Sequence, residues 1–131
     1  MNSTQQHYIS DWHDSFVNYV SQILAAIATA ELSSQATEAD KQGFEMVKVL
    51  FRGTDIHDVE RDLSEGVVRQ STLDKIEKID KEFADIIVDH IDNIPLRKQL
   101  LKQLLHRVVE NNKAAAMMRL NVLNIPEISF R

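Results

Sequence analysis

The fold is decided by the stretch at residues 96–120, which has the sequence LRKQLLKQLLHRVVENNKAAAMMRL. Its apolar residues recur every three or four positions, the spacing that places side chains on one face of an α-helix. No glycine or proline interrupts the stretch, and either would weaken or break a helix. We therefore expect one long amphipathic helix. Its apolar positions are Leu96, Leu100, Leu101, Leu104, Leu105, Val108, Val109, Ala116, Met117 and Leu120.

Helical periodicity also covers most of the preceding sequence. The 131 residues include only three glycines and two prolines, and these lie close to the ends of the periodic segments. Apolar residues recur at helical spacing in the segments 8–30, 44–51, 56–63 and 73–91. Thr37 and Asp40 resemble a capping box ahead of the second segment. The sequence predicts an all-α fold, a compact helical bundle of about five helices that forms a single domain over residues 1–131.

The composition excludes several classes of protein. The chain has no cysteine, which excludes a disulfide framework, thiol catalysis and a thiolate metal site. The absence of cysteine is typical of proteins in a reducing compartment, so we expect a cytoplasmic protein. No run approaches the roughly 18 apolar residues of a membrane-spanning helix. The Ala-x-Ala pattern at 28–30 follows a segment without Lys or Arg, unlike a signal peptide. We predict no cofactor.

Charge is distributed unevenly along the chain, whose net charge is −5. Residues 54–92 carry twelve acids and five bases, hence −7, whereas residues 93–131 carry two acids and seven bases, hence +5. We expect the acidic and basic segments to lie against each other. An acidic chain is a poor general binder of nucleic acid, which requires a concentrated basic face.

The basic side chains of the last helix have two interpretations. They form the solvated side of that helix, paired in part with the acidic fourth helix, or they form a docking face for a protein or a nucleic acid. Nucleic-acid recognition usually adds aromatic or amide readers, which favours a protein partner. We select Arg97, Lys98 and Lys102 as candidate interaction residues. The other bases of this helix are Arg107, Lys113 and Arg119.

Carboxylates and histidines give an alternative cation or metal site. Glu82, Asp85 and Asp89 form an acidic stripe on the fourth helix, and His106 lies four residues before Glu110 on the fifth. Carboxylate and imidazole groups are common metal ligands. A dimetal helical bundle would use Glu-x-x-His motifs, and this sequence contains none. The pattern favours solvated surface charges, with the metal site kept as the alternative.

Aromatic residues are concentrated near the N-terminus. The spacing of Tyr8, Trp12, Phe16 and Tyr19 is typical of core residues, and their terminal position also suits an exposed partner surface. We name Tyr8, Trp12 and Phe16 as candidate interaction residues. A contact centred on Trp12 would bury excess apolar surface between two copies, so the sequence also predicts a homodimer.

Two stretches carry a family resemblance. Residues 23–31 with 37–42 resemble the helix, acidic loop and next-helix start of tellurite-resistance TerB-like helical domains. Residues 100–109 with 117–126 resemble the second, repeated half of that family. The resemblance implies a stress-associated interaction module. The family's acidic Asp-Gly turn is absent from both halves of this chain, so its proposed cation site does not carry over.

These observations predict a non-enzymatic protein-interaction or regulatory module, of the accessory, immunity, inhibitor or stress-associated kind. The sequence contains neither a Gly-rich phosphate loop nor a Gly-framed nucleophile, the motifs that would indicate an enzyme. The identity of the partner is not contained in the sequence. The alternatives are a helical cation-binding or metal-binding domain, and a nucleic-acid-binding protein that uses the basic last helix.

Overall fold

Five α-helices follow one another along the chain. The computed structural model describes the backbone of residues 3–124 and the side chains of residues 9–113 and residue 116. The predicted all-α class and helical bundle are confirmed, and this part of the chain contains no strand. The helices are α1 (Ser3–Glu31), α2 (Glu38–Phe51), α3 (Thr54–Ser64), α4 (Gln70–His90) and α5 (Ile94–Asn124).

The core lies between α1 and α4, because each of these helices packs against α2, α3 and α5. An aromatic cluster forms its centre. The ring of Phe51 lies 5.0 Å from that of Phe83 and 5.9 Å from that of Tyr19, in edge-to-face geometry. Such pairs add to the stability that comes from apolar burial alone. The apolar periodicity of segments 8–30 and 73–91 thus corresponds to buried faces of α1 and α4.

Asp40 joins the start of α2 to the corner between α4 and α5. The predicted capping box is present: the Asp40 N–H donates to Thr37 Oγ1, and the Thr37 N–H donates to Asp40 Oδ2, both at 3.0 Å. Asp40 is also fully buried. Its Oδ1 accepts hydrogen bonds from the backbone N–H groups of Asp92 and Asn93. One carboxylate thus caps a helix and fixes a distant turn.

Gly43 allows α2 to approach the end of α4 closely. A Cβ atom at this position would lie 2.6 Å from Ile91 Cδ1 and 3.0 Å from His90 Cβ. Contacts this short require the neighbouring atoms to move, since protein cores are close-packed. The helix pair therefore depends on a residue without a side chain at position 43.

We expect the Gly43→Val variant to lose about 1–3 kcal/mol of unfolding free energy through overpacking. Urea denaturation followed by circular dichroism measures this loss. The exposed neighbour provides the control, because Gln42→Val introduces the same side chain into the same helix without the contact with α4. Equal stability of the two variants would show that α2 and α4 are not this close.

Candidate functional site

One face of α5 is left uncovered by the bundle. Lys98, Lys102, Leu105 and Val109 lie three or four residues apart, so they share one side of the helix, which we call the outer face of α5. Leu105 is 65% exposed and Val109 is 56% exposed. The amphipathic pattern groups these two residues with the other apolar positions of α5, but unlike Leu100 and Leu104 they are not buried. Helix α5 packs against α1 and α4, and these two neighbours do not cover its outer face.

No other described residue neutralises the two lysines of the outer face or the neighbouring Arg97. Lys98 and Lys102 are exposed and Arg97 is half-buried, and none of the three has a carboxylate within ion-pair distance in the described part of the chain. The expectation that α4 would pair with these bases is wrong for the ion pairs. Two lysines of α4 pair with acids of α3 instead: Lys75 with Asp58 and Lys78 with Asp55, each at 3.1 Å.

The alternative metal ligands are not brought together. Glu82, Asp85 and Asp89 are exposed on α4, whereas His106 and Glu110 lie on α5 beside α1. Within the residues whose side chains are described, no group of three or more histidines and carboxylates could hold a metal ion. The five residues therefore do not form one metal centre.

Arg107 lies inside the protein, contrary to the prediction of a solvated base. It is only 2% exposed. Its guanidinium carbon lies 4.9 Å from the ring centroid of Phe16, 5.8 Å from that of Trp12 and 5.9 Å from that of Tyr19. Aromatic faces attract a cation at these distances. Burial lowers the pKa of Arg107, although guanidinium groups in proteins stay charged.

Asp80 supplies the negative charge that acts most strongly on Arg107. It is 5% exposed on α4, and Tyr19 Oη donates to its Oδ1 at 3.4 Å. Burial raises the pKa of Asp80 to about 6, and the positive charge of Arg107 opposes that rise. Burial and Asp80 also raise the pKa of Tyr19. Tyr19, Asp80 and Arg107 form a buried polar cluster that joins α1, α4 and α5.

The guanidinium group of Arg107 has unused hydrogen-bonding capacity. Its Nε, Nη1 and Nη2 atoms are buried and have no hydrogen-bond partner among the residues described, and Asp80 does not reach ion-pair distance. Native proteins pair nearly all buried polar groups, so three unpaired nitrogens on one side chain require an explanation.

A polar cleft lies directly beside this group. It separates α1 from α5, has a volume of about 500 Å³ and is lined by Arg107 itself. Ser15, Asn18, Tyr19 and Gln22 of α1 form one wall. The other wall comes from α5 and consists of Gln99, Lys102, Gln103, His106, Arg107 and Glu110. The cleft and the outer face of α5 meet at Lys102.

The N-terminal aromatic residues belong mainly to the core. Trp12 is 5% exposed and Phe16 has no exposed surface, so a dimer contact centred on Trp12 has almost no indole surface to use. The side chain of Tyr8 lies outside the described residues. The described interaction candidates that remain accessible are therefore those of α5.

Sequence periodicity could have located the buried cluster. Asp80 lies four residues after Ile76 and three before Phe83, and Arg107 lies three residues after Leu104. Both charged residues thus occupy the inner-face positions of their helices. Charged side chains are usually exposed, so their residue type alone predicts the surface and only their position in the helical period indicates burial.

Comparisons of this chain with family models, curated proteins and solved structures find no match. The resemblance to TerB-like domains therefore stays a prediction. None of the helices in the described part of the chain is both long enough and apolar enough to cross a membrane.

Proposed function

We propose that this chain is a non-enzymatic helical protein-interaction or regulatory module that binds a protein partner through the outer face of α5. The observation that supports this proposal most strongly is the combination of unneutralised Lys98 and Lys102 with exposed Leu105 and Val109. Apolar contacts flanked by charged groups are a common composition for protein interfaces. The interaction module that the TerB-like resemblance implies is of the same class.

The chemistry of this face favours an acidic partner. Lysines without a nearby carboxylate attract a surface that carries Asp and Glu, and such complementarity steers association. Leu105 and Val109 add apolar area that a protein can cover and that a phosphate backbone does not use. The net charge of −5 also opposes general binding to nucleic acid. We therefore propose an acidic protein surface as the partner.

We expect immobilised protein to retain a partner from a lysate of its source cells at low salt and to release it as ionic strength rises. The Lys98→Glu and Leu105→Ser variants should each reduce retention at least about tenfold, since each alters one of the four residues that form the face. Lys41→Glu makes the same charge change at an exposed position of α2 and is the matched control.

Three results would contradict this proposal. Retention of no protein at low salt would remove the predicted interaction. Equal effects of Lys98→Glu and Lys41→Glu would indicate attraction by net charge rather than binding at α5. Retention of nucleic acid in place of protein would favour the nucleic-acid alternative.

A further inference from the structure

We propose that the cleft between α1 and α5 binds a carboxylate group, and that Arg107 is the residue that anchors it. The cleft adjoins the outer face of α5 at Lys102, but its anchor Arg107 does not belong to that face, so the two proposals can fail independently. The proposal begins from the unused donors of Arg107. A guanidinium group presents five N–H donors in a planar fork, which matches the two oxygens of a carboxylate.

The surroundings of Arg107 hold its charged group in place without using its donors. The rings of Phe16, Trp12 and Tyr19 contact the guanidinium through their π systems. Asp80 balances the charge from beyond ion-pair distance. A cation that is fixed in position and keeps its donors free is well suited to bind an anion, since little rotamer entropy is lost on binding.

The cleft gives a ligand access to this group. Gln103 lies one helical turn before Arg107, lines the same cleft, and has a buried Oε1 without a hydrogen-bond partner among the described residues. The guanidinium nitrogens are themselves covered. In the proposed complex the Gln103 side chain moves aside, and the ligand carboxylate takes the Arg107 donors. Neither the Arg107 nitrogens nor Gln103 Oε1 has a hydrogen bond to lose, so the exchange costs little free energy.

The charge of the cleft favours a carboxylate over a phosphate. Among the residues that line the cleft, Lys102 and Arg107 contribute two positive charges and Glu110 contributes one negative charge. Asp80, which does not line the cleft, opposes the charge of Arg107 further, so the cleft accommodates a singly charged carboxylate better than a doubly charged phosphate. The amides of Asn18, Gln22 and Gln99 can bind the remaining polar groups of the ligand. A volume of about 500 Å³ suits a ligand of amino-acid size. Both a free organic acid and an acidic side chain of a protein supply this chemistry.

Trp12 provides a built-in reporter for the test. It is the only tryptophan in the chain, and its ring contacts Arg107. We would titrate the full chain with N-acetyl-glutamate N-methylamide up to about 20 mM, because ligands of this size reach dissociation constants of about 1 mM or lower. The blocked glutamine analogue is the neutral control, and sodium chloride keeps the ionic strength constant.

The expected result is a saturable change in Trp12 emission with the glutamate compound and none with its glutamine analogue. Glutarate distinguishes the two sources: tighter binding of glutarate indicates a free organic acid, and tighter binding of blocked glutamate indicates an acidic side chain. Absence of a saturable change with both carboxylates would overturn the proposal. Tighter binding of inorganic phosphate than of either carboxylate would also overturn it.

Variants test whether the carboxylate binds at Arg107. Arg107→Lys keeps the charge and removes the planar fork, so the dissociation constant should rise at least about tenfold. Lys102→Ala, at the rim of the cleft, should raise it roughly threefold. Lys81→Ala removes the same charge at an exposed position of α4 outside the cleft and should leave the dissociation constant unchanged. Equal effects of the two lysine variants, or unchanged binding by a folded Arg107→Lys variant, would overturn the proposal.

Discussion

The Asp40→Ala variant should lose about 3–5 kcal/mol of unfolding free energy at pH 7, because three backbone N–H groups lose a charged acceptor. Those groups belong to Thr37, Asp92 and Asn93, so the change weakens both the start of α2 and the α4–α5 corner. Urea denaturation measures the loss. Asp89→Ala removes an exposed acid of α4 and is the control, with an expected change below about 0.5 kcal/mol.

Acid titration separates the charge of Asp40 from its packing. Burial tends to raise the pKa of Asp40, but the backbone hydrogen bonds outweigh burial and hold this pKa below its ordinary value of 3.8. The stabilisation is therefore present above pH 3.8 and is lost as the pH falls through the lower pKa of the folded state. Asp40→Asn should lack this acid-dependent part. A loss below about 1 kcal/mol in Asp40→Ala would contradict the structural role.

The Arg107→Met variant should lose about 3–5 kcal/mol of unfolding free energy at pH 8, because it leaves the buried carboxylate of Asp80 without a counter-charge. Methionine keeps much of the side-chain volume, so the loss reports charge more than packing. Adding Asp80→Asn should restore much of the stability, since the double variant no longer buries an isolated charge. A double variant as unstable as Arg107→Met would contradict the coupling between these residues.

The pH dependence of this loss has a defined sign. Burial raises the pKa of Asp80 to about 6 in the folded protein, above its ordinary value of 3.8. Stability from this group is thus complete below pH 3.8 and is lost as the pH rises through 6. Removal of Arg107 raises the pKa of Asp80 further, so Arg107→Met should be less destabilising at pH 5 than at pH 8. Equal losses at both pH values would show that Asp80 does not titrate in this range.

The helices could be predicted from sequence because each helix buries a face with a regular period. The stripe from Ile9 to Ile27 and the Thr37–Asp40 capping box are local patterns, and the structure contains both. Contacts between distant parts of the chain have no comparable local sequence pattern from which they could be predicted. The bonds from Asp40 to the corner at 92–93 span more than fifty residues, and the close approach at Gly43 depends on where α4 ends.

The candidate sites were only partly predictable for the same reason. Lys98 and Lys102 were recognised as interaction candidates from charge, and the structure places them on an open face. Leu105 and Val109 belong to the apolar stripe of α5 yet are exposed, because periodicity gives the width of an apolar stripe but not the number of helices that cover it. The burial of Arg107 cannot be predicted from its own helix, because its aromatic neighbours lie on α1, far away in sequence.

Hydrogen–deuterium exchange, measured on the chain alone and with its captured protein partner, tests the central claim most directly. Exchange monitored by mass spectrometry reports where a partner protects the backbone. If the outer face of α5 is the binding surface, protection should be largest in peptides covering residues 94–113, and Lys98→Glu should abolish it. Protection confined to α2 and α3, with no change in α5, would contradict the claim.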